Sequence, residues 1–527
     1  MDYSKLSARY NESKQYKDRW LALYKDLYFY VIPDRDAMNV KFNYRDDGKP
    51  VTASVWDNTA VLAAYQRSND LHGLLLPKDR TWGKLTMDPH MFKQDAIEAS
   101  KPILDEMNDR IFFYINQSNL SRVVSSSNLD LIGGTGALWV ESIDDNTPLY
   151  FRSIPAVALY IEYSTDDVLN TCWYQCKMTG RQVDDAFPKY KGTQKVNIKE
   201  SPNDIFIVIY GQIKLSEDSF FIYATMEEDP FNPLFEVERN YPQIIVYRDR
   251  VRPGEADGRG IGVDLLPMIQ DLNRLVMYNR QSMAFKANPP MFYDSNAYFN
   301  PYSVRQWAGA MIVRSPQGRN PVEAMQMPEY HSVLSEIQDM RQFIIKGFMI
   351  DPLGEINAPV KSATEVSIRE NRAQRTASTD ISRLINELPK QIFEVSAKIL
   401  HHRRLLTSDR ANIRNFNISK FRFSFESPLF DLQKQDDLNH FITNMQIKQQ
   451  FFGQGAAMAS IDIGETQEFL TNVLNLKSKL FVSKEKLMQM MQMAAKQAQE
   501  ANQLAAQPTP STAAGKVSFP QQSTVGI

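Results

Sequence analysis

Apolar residues recur every three to four positions over the first third of the chain, the spacing of helices with one buried face. Residues 3–32 read as one helix carrying Tyr10, Trp20, Tyr24 and Leu27, ended by Pro33. Residues 52–76 and 99–116 read as two more. A fourth runs from 118 into "LDLIGGTGALWVE", where Gly133, Gly134 and Gly136 mark a break before a strand. From 148 to 249 the pattern changes. "PLYFRSI", "VALYIEY", "VLNTCWYQCKM", "DIFIVIYGQI", "SFFIYATM" and "QIIVYRD" are rich in β-branched and aromatic residues and separated by short turns. Strands that follow one another with few helices between them pair antiparallel, which makes the fold class α+β.

Beyond "DGRGIGVD", which holds Gly258, Gly260 and Gly262, the helical spacing returns. Leu265, Ile269, Leu272, Val276 and Met283 share a face over 264–287, with Asp264 as expected N-cap and Pro267 in the expected first turn. About 24 residues at ~1.5 Å each give a rod of roughly 36 Å. "NPP" stops it at Asn288. An insert, 291–327, is rich in Tyr, Pro, Asn and Gly and contains a strand-like "AGAMIVRS". A second helix follows Pro328, with Val333, Ile337, Met340, Ile344 and Phe348 on one stripe. Residues 350–361 form a proline-containing loop, and "SATE" at 362–365 has capping-box spacing. The stripe that follows is Ala377, Ile381, Leu384, Leu388, Ile392, Val395 and Ile399. It crosses Pro389 in phase, which favours a kink over two separate helices. "FRFSFESPLF" from Phe421 is a last strand. Helical segments fill 433–505, and the tail from 506 is Pro-, Ser- and Thr-rich and expected to be disordered.

Composition narrows the function. Sixty basic and 62 acidic residues leave a net charge of −2, which argues against a protein that grips nucleic acid statically but not against contact with DNA that slides. The two cysteines, Cys172 and Cys176, exclude a disulfide framework and suit a reducing compartment. The charged N-terminus lacks the apolar segment of a signal peptide, and no uncharged apolar run is long enough for a membrane span. A large soluble intracellular protein is the expected class.

Candidate chemistry is sparse. The loop 258–262 stands between a strand and a helix, as dinucleotide-binding loops do, but Val263 occupies the third fingerprint glycine and the preceding strands are not parallel. Gly48-Lys49, Gly83-Lys84 and Gly515-Lys516 are followed by Pro, Leu and Val, so no phosphate-binding GK[ST] loop exists. None of His72, His90, His331, His401, His402 and His440 has metal-ligand spacing. His401 and His402, beside Arg403 and Arg404, read as a solvated basic helix end, and Cys172 and Cys176 as core thiols. Asp144-Asp145 and Asp166-Asp167 fit turns, and Asp436-Asp437 a helix start. The Met-rich run 488–493 reads as a helix packed against copies of itself. The chain is expected to be no enzyme and to need no metal or cofactor.

What remains is the order of elements: helix, small insert, helix, proline loop, kinked helix. That order, with several local segments, resembles the phage portal proteins (head-to-tail connectors) of the short-tailed podovirus type. The segments are "YKDLYFYVIPD", "VWDNTAVLAAYQRSNDLHGLLLPKDRTWGKLTM", "LDLIGGTGALWVE", "GRGIGVDLLPMIQDLNRL" and "SATEVSIRENR", together with the Gln/Met/Ala-rich C-terminal helix. They run in order over roughly 20–500, and the insert 291–327 matches least.

The resemblance implies a portal-protein fold: an α/β wing (1–262), paired stem helices (263–290 and 328–349), a clip (291–327) and a tunnel loop (350–361). A kinked wing helix with a returning strand (362–432) and an α-helical crown (433–505) complete it. It further implies a homo-oligomeric ring, normally a dodecamer, at the unique capsid vertex of a virion, assembled in the host cytoplasm. Double-stranded DNA would enter through the channel during packaging and leave by it during ejection. The implied partners are the terminase large subunit, a tail adaptor, the major capsid and scaffolding proteins and internal core proteins at the crown, with no membrane. Channel and tunnel-loop candidates are then Asp351, Leu353, Glu355, Asn357, Lys361, Arg369 and Arg372, whose mixed signs suit a weak, sequence-blind contact. Clip candidates are Tyr293, Tyr298, Tyr302, Trp307, Arg314 and Arg319. Gly258, Gly260, Gly262 and Asp264 form a stem elbow, expected to be flexible and to take an unusual backbone angle. The competing expectations are a nucleotide-binding enzyme using 258–262 and a virion scaffold protein that forms no ring.

Overall fold

The architecture was read from a computed structural model. It describes residues 2–35, 55–78, 81–87, 92, 94–144, 146–162, 169, 171–190, 202–216, 219–287, 291–293, 322–324, 331–349, 383–406, 421–425, 438, 440–451, 453, 466, 470 and 493. The chain divides into two compact units, Met1–Phe430 and Asp431–Ile527. In the second unit, residues 440–451 are helical.

In the first unit the fold is α+β. The expected first helix is two, α1 (Tyr3–Asp18) and α2 (Leu21–Tyr30). At the joint a tighter bond from the Trp20 N–H to the Lys17 carbonyl (2.9 Å) replaces the helical spacing. The next helix, α3 (Thr59–Leu75), begins later than its pattern predicts, because Asp57 caps the Thr59 N–H at 2.9 Å and Asn273 fixes the backbone of Trp56 and Asp57. After β1 (Gly83–Met87) come α4 (Gln94–Gln117), which begins five residues before its expected start at 99, and α5 (Leu120–Leu131).

The strands follow as β2 (Thr135–Glu141), β3 (Tyr150–Ile154), β4 (Leu159–Ile161) and β5 (Thr171–Thr179). A short α6 (Gly180–Ala186) then precedes β6 (Ile205–Ser216), β7 (Ser219–Met226), β8 (Phe235–Arg239) and β9 (Ile244–Arg248). They build a three-stranded sheet, β3-β2-β9, and a five-stranded sheet, β4-β5-β6-β7-β8. Every pairing in them is antiparallel.

The long helices are α7 (Ile261–Ala287) and α8 (His331–Phe348). Between them, β10 (Met291–Tyr293) and β11 (Val322–Ala324) pair antiparallel and close the base of the insert. Residues 383–387 are helical, Leu388 is a turn, and α9 (Pro389–His402) starts with Pro389 in its first turn. The break is one residue deep. The Leu388 N–H still reaches the Leu384 carbonyl (2.8 Å), and that of Ile392 reaches Leu388 (2.9 Å), so the apolar stripe stays in phase through a kink. Finally β12 (Phe421–Phe425) returns to pair antiparallel with β1.

Among the described residues the unit holds five hydrophobic clusters, of which the two largest organise it. One joins α4, α5, β2, β9 and α9 around Trp82, whose ring meets Phe112 and Phe393 edge-on at 5.2 and 5.9 Å. The other joins α2, α3, α7 and α8 through Leu27, Ala64, Leu265, Ile269, Leu272, Val276, Ile337, Ile344 and Phe348. The α8 stripe therefore packs as its spacing predicts. The α7 stripe does so only as far as Val276, because Met283 is exposed.

Candidate functional site

The helix pair emerges from the sheets at a joint made of two glycine segments distant in sequence. At the end of α5 the chain turns through Gly133 and Gly134, and Gly134 alone in this joint has a left-handed φ, +119°. The segment Gly258–Gly262 lies directly against that turn. A Cβ on Gly134 would stand 2.1 Å from the Gly258 carbonyl oxygen. One on Gly258 would stand 2.2 Å from that of Gly134, and one on Gly260 2.2 Å from that of Ile132. Gly258 and Gly260 are thus required by close approach of backbone to backbone, Gly262 is crowded first by the Ile132 side chain (2.6 Å), and none of the three has positive φ. All three are buried. The elbow is a packed joint, which corrects the expectation of a flexible hinge at an unusual angle.

The same geometry removes the phosphate-cradle reading. The Gly258 N–H donates to Thr135 Oγ1 (2.9 Å), that of Arg259 to the Arg250 carbonyl (2.7 Å), and that of Gly262 to the Ile132 carbonyl (3.0 Å). Three of the donors a phosphate would need are thus engaged, one by the Thr135 hydroxyl and two by backbone carbonyls. A cleft of about 330 Å³ lies elsewhere, between α9 and the sheets, lined by Lys214, Lys390 and Glu394 among others and not by the glycine segment.

Asp264 is not the N-cap. α7 begins at Ile261, so Asp264 lies in its first turn and pairs with Arg250 (2.6 Å), while Pro267 falls inside the helix at an exposed position. The helix starts early because the Ile132 carbonyl, presented by the glycine turn, takes the Gly262 N–H.

Buried charges fix the joint to the helical layer. Lys17 Nζ meets Asp257 Oδ1 at 2.7 Å with both side chains 1 % exposed, and the ammonium lies 4.5 Å from the Tyr24 ring centroid. Burial, then the Asp257 carboxylate, pushes the Tyr24 phenol well above its ordinary pKa. Beside it Asp130 accepts from Tyr28 Oη (2.7 Å) and Arg35 Nε (2.8 Å). Burial raises the Asp130 pKa against the opposing pull of Arg35.

Further along, Arg341 of α8 reaches Asp57 Oδ2 through Nε (2.8 Å) and Nη2 (2.6 Å). Burial works against ionisation there, but the Thr59 hydrogen bonds and Arg341 prevail and hold the Asp57 pKa below the usual carboxylate value. Arg67 Nη1 caps the Phe348 carbonyl at the end of α8 (3.1 Å). From the other side, Glu387 accepts from the Arg248 backbone N–H (2.7 Å) and from Arg248 Nη2 (3.1 Å), which covers the free edge of β9.

Of the residues singled out from sequence, the structure brings Gly258, Gly260, Gly262 and Asp264 to this joint and places Tyr293 on β10. Tyr298, Tyr302, Trp307, Arg314, Arg319, Asp351, Leu353, Glu355, Asn357, Lys361, Arg369 and Arg372 lie outside the described residues, as do Ala377, Ile381 and the strand-like 308–315. Cys172 is buried, and burial raises the thiol pKa of both cysteines to about 12, as for core thiols. Asp144 accepts from the N–H and hydroxyl of Thr147, a turn contact. The basic helix end is only partly solvated, because Arg403 donates to the carbonyls of Ser142 and Ile143. Among the described residues no cluster of His, Cys, Asp or Glu could hold a metal ion, and no helix is long and apolar enough to cross a membrane. Sequence reasoning missed Lys17, Asp257 and Arg341, and read Gly134 only as part of a break before a strand. One signal was available for Lys17: it falls on the stripe Leu6, Tyr10, Ser13, Lys17, the buried face of α1.

Comparison with known proteins then gives three findings. The model of a family described as bacteriophage head to tail connecting protein matches residues 3–481. No curated protein matches the chain. Among solved structures, a chain from the virion of a native gene transfer agent particle is similar over 84% of this chain and 99% of its own, at 10% identity and TM-score 0.36. A chain from the neck of the native particle, computed with twelvefold symmetry, is similar over 82% and 97%, at 10% identity and TM-score 0.35.

Proposed function

The chain belongs to the bacteriophage head-to-tail connecting protein family, and from that membership we propose that it is the portal: a ring, with twelve copies as the expected number, at one capsid vertex of a short-tailed phage. DNA is packaged and later ejected through its channel. The sheets and first helices form the wing, α7 and α8 the stem, and the insert 291–327 a clip that meets terminase and then a tail adaptor. Residues 350–361 form the tunnel loop and the helices after 433 the crown. Asp351, Leu353, Glu355, Asn357, Lys361, Arg369 and Arg372 face DNA. Tyr293, Tyr298, Tyr302, Trp307, Arg314 and Arg319 serve the clip.

The observation that carries this reading is the helix pair. Leu265 at the start of α7 packs on Gly347 at the end of α8, so the two run antiparallel. They are embedded among α2 and α3 at one end and joined at the other through β10 and β11. The near-neutral charge of the chain fits a conduit, since each neutralised phosphate adds affinity that would slow sliding. Electron microscopy of the purified protein tests the reading. Annular particles with an axial hole are expected, whereas monomers at high concentration, or filaments, would overturn it.

A further inference from the structure

The outward faces of the helix pair are not uniformly polar. On α7, Arg274 and Tyr278 fall one turn apart on the face opposite the buried stripe, and Tyr278 is 59 % exposed. On α8, Glu336, Asp339 and Phe343 fall at i, i+3 and i+7 on one exposed stripe, with Phe343 57 % exposed. Tyr278 thus sits beside Arg274, on a face that Asp271 shares, and Phe343 sits beside the two carboxylates of α8, while Phe285 is a second exposed ring nearer the end of α7. Arg274 has only a loose pair with Asp271, at 3.8 Å and two-thirds exposed. Among the described residues neither Glu336 nor Asp339 is in a salt bridge.

The levels also agree. With Leu265 against Gly347, nine residues along α7 reach Arg274 and nine back along α8 reach Gln338, next to Asp339. Both lie roughly 13 Å from that contact at ~1.5 Å per residue. Rotation about an axis parallel to the pair keeps every residue at its level. A neighbouring copy would therefore present Asp339 and Glu336 at the height of Arg274 and Tyr278. A contact between two different faces repeats from copy to copy, as a closed ring requires.

Resting on the ring reading above, we propose that these stripes are the two halves of one heterologous interface. The Arg274–Tyr278 face of α7 in one copy docks on the Glu336–Asp339–Phe343 stripe of α8 in the next. The rings exclude water from the charge pairs, and the charges fix the register.

Two single reversals and their mixture test it. Arg274→Glu alone places a carboxylate against Asp339 at every interface, and Asp339→Arg alone places a guanidinium against Arg274. Each is expected to lose annular particles and sediment as monomer, with an unfolding midpoint near that of the unassembled wild type. An equimolar mixture restores rings. Alternating copies then pair the introduced glutamate with the introduced arginine at one interface, and the native Arg274 with the native Asp339 at the next. No contact within one chain predicts that rescue. Rings formed by either variant alone, or a mixture that stays monomeric, would overturn the interface. A wild type that forms no ring would instead overturn the portal reading.

Discussion

Replacing Gly260 by alanine tests whether the joint is a packed contact or a hinge. The added methyl would stand 2.2 Å from the Ile132 carbonyl oxygen, 2.5 Å from its carbon and 2.6 Å from the Leu131 carbonyl oxygen. All three are backbone atoms that no rotamer change can move. Carbon–oxygen contacts are comfortable at roughly 3.3 Å, so the segments must part by ~1 Å. That displacement strains the Gly262 N–H bond to Ile132 (3.0 Å), which holds the first turn of α7. Overpacking costs about 1–3 kcal/mol and a stranded buried donor about 1–3 kcal/mol. A loss of about 2–6 kcal/mol follows, a large part of the ~5–15 kcal/mol typical of a folded protein. Two other glycines calibrate it. Gly73, in α3, has nothing within 4 Å of a built Cβ, so Gly73→Ala gains about 0.5–1 kcal/mol. Gly254 also meets nothing but has φ +87°, so Gly254→Ala loses roughly 1–2 kcal/mol from backbone strain alone. Thermal unfolding by circular dichroism, with limited proteolysis of the folded proteins, ranks the three. The reasoning fails if Gly260→Ala melts no lower than Gly254→Ala, or if the elbow tolerates the methyl as a hinge would.

Other perturbations address the charges. Lys17→Ala strands Asp257 in the interior and should cost about 3–5 kcal/mol, while Lys17→Met with Asp257→Leu recovers most of it; matching melting points for single and double variants would refute a coupled pair. Burial, then Lys78, lowers the His72 pKa, so the unfolded state binds the proton better. That stability is full above the unfolded value of about 6.5 and falls as pH drops towards the folded value. His401 shifts the same way, so His72→Gln should flatten only part of the slope in melting point below pH 6.5, and an unchanged slope would be contrary. ATP or NAD should leave the melting point of the wild type unmoved, because the Gly258 and Gly262 N–H groups are engaged; a shift abolished by Gly260→Ala would revive the nucleotide site. Charge reversal at Arg369 or Arg372 should alter DNA packaging or retention with rings intact, and loss of rings would make those residues interfacial.

Local pattern made the strands legible, since β-branched runs with short turns leave few alternatives. β8 escaped because "FEVER" puts Glu236, Glu238 and Arg239 on a sheet-edge strand with no apolar run to announce it. α6 escaped because it is short and set by one capping box, Thr179 with Gln182. The stem stripes were read correctly in phase, and Met283 failed only because spacing cannot say where a packing partner ends. The glycine cluster was visible, but its reason was not. Gly258 must be glycine because of Gly134, more than 120 positions earlier, and no local rule reports a contact at that range. The same holds for Lys17 with Asp257 and for Arg341 with Asp57.

The placement of these nonlocal contacts has a mechanical consequence. From Tyr278 to Ala287, α7 adds nothing to the core it shares with α2, α3 and α8 beyond the Arg280 guanidinium over the Trp56 ring (5.6 Å), so what holds its first four turns sets most of its direction. About eleven residues beyond Val276 span roughly 16 Å, and a tilt of ~5° at the root would carry the tip more than 1 Å sideways. Arg274 lies roughly 13 Å from the Leu265–Gly347 contact, so the same tilt moves it by ~1 Å, and its proposed pair with Asp339 is sensitive to that, because a hydrogen-bonded ion pair at 2.7 Å is lost by about 4 Å. A ring multiplies the requirement, since every copy must present the same angle for the last interface to close. Backbone contacts that tolerate no added atom, a buried Lys17–Asp257 pair and the Arg341–Asp57 bond all resist tilt at the root. They act where a small error would be magnified most. A flexible elbow there would leave the interfaces between copies to set the angle by themselves, with exposed pairs worth only ~0–1 kcal/mol each.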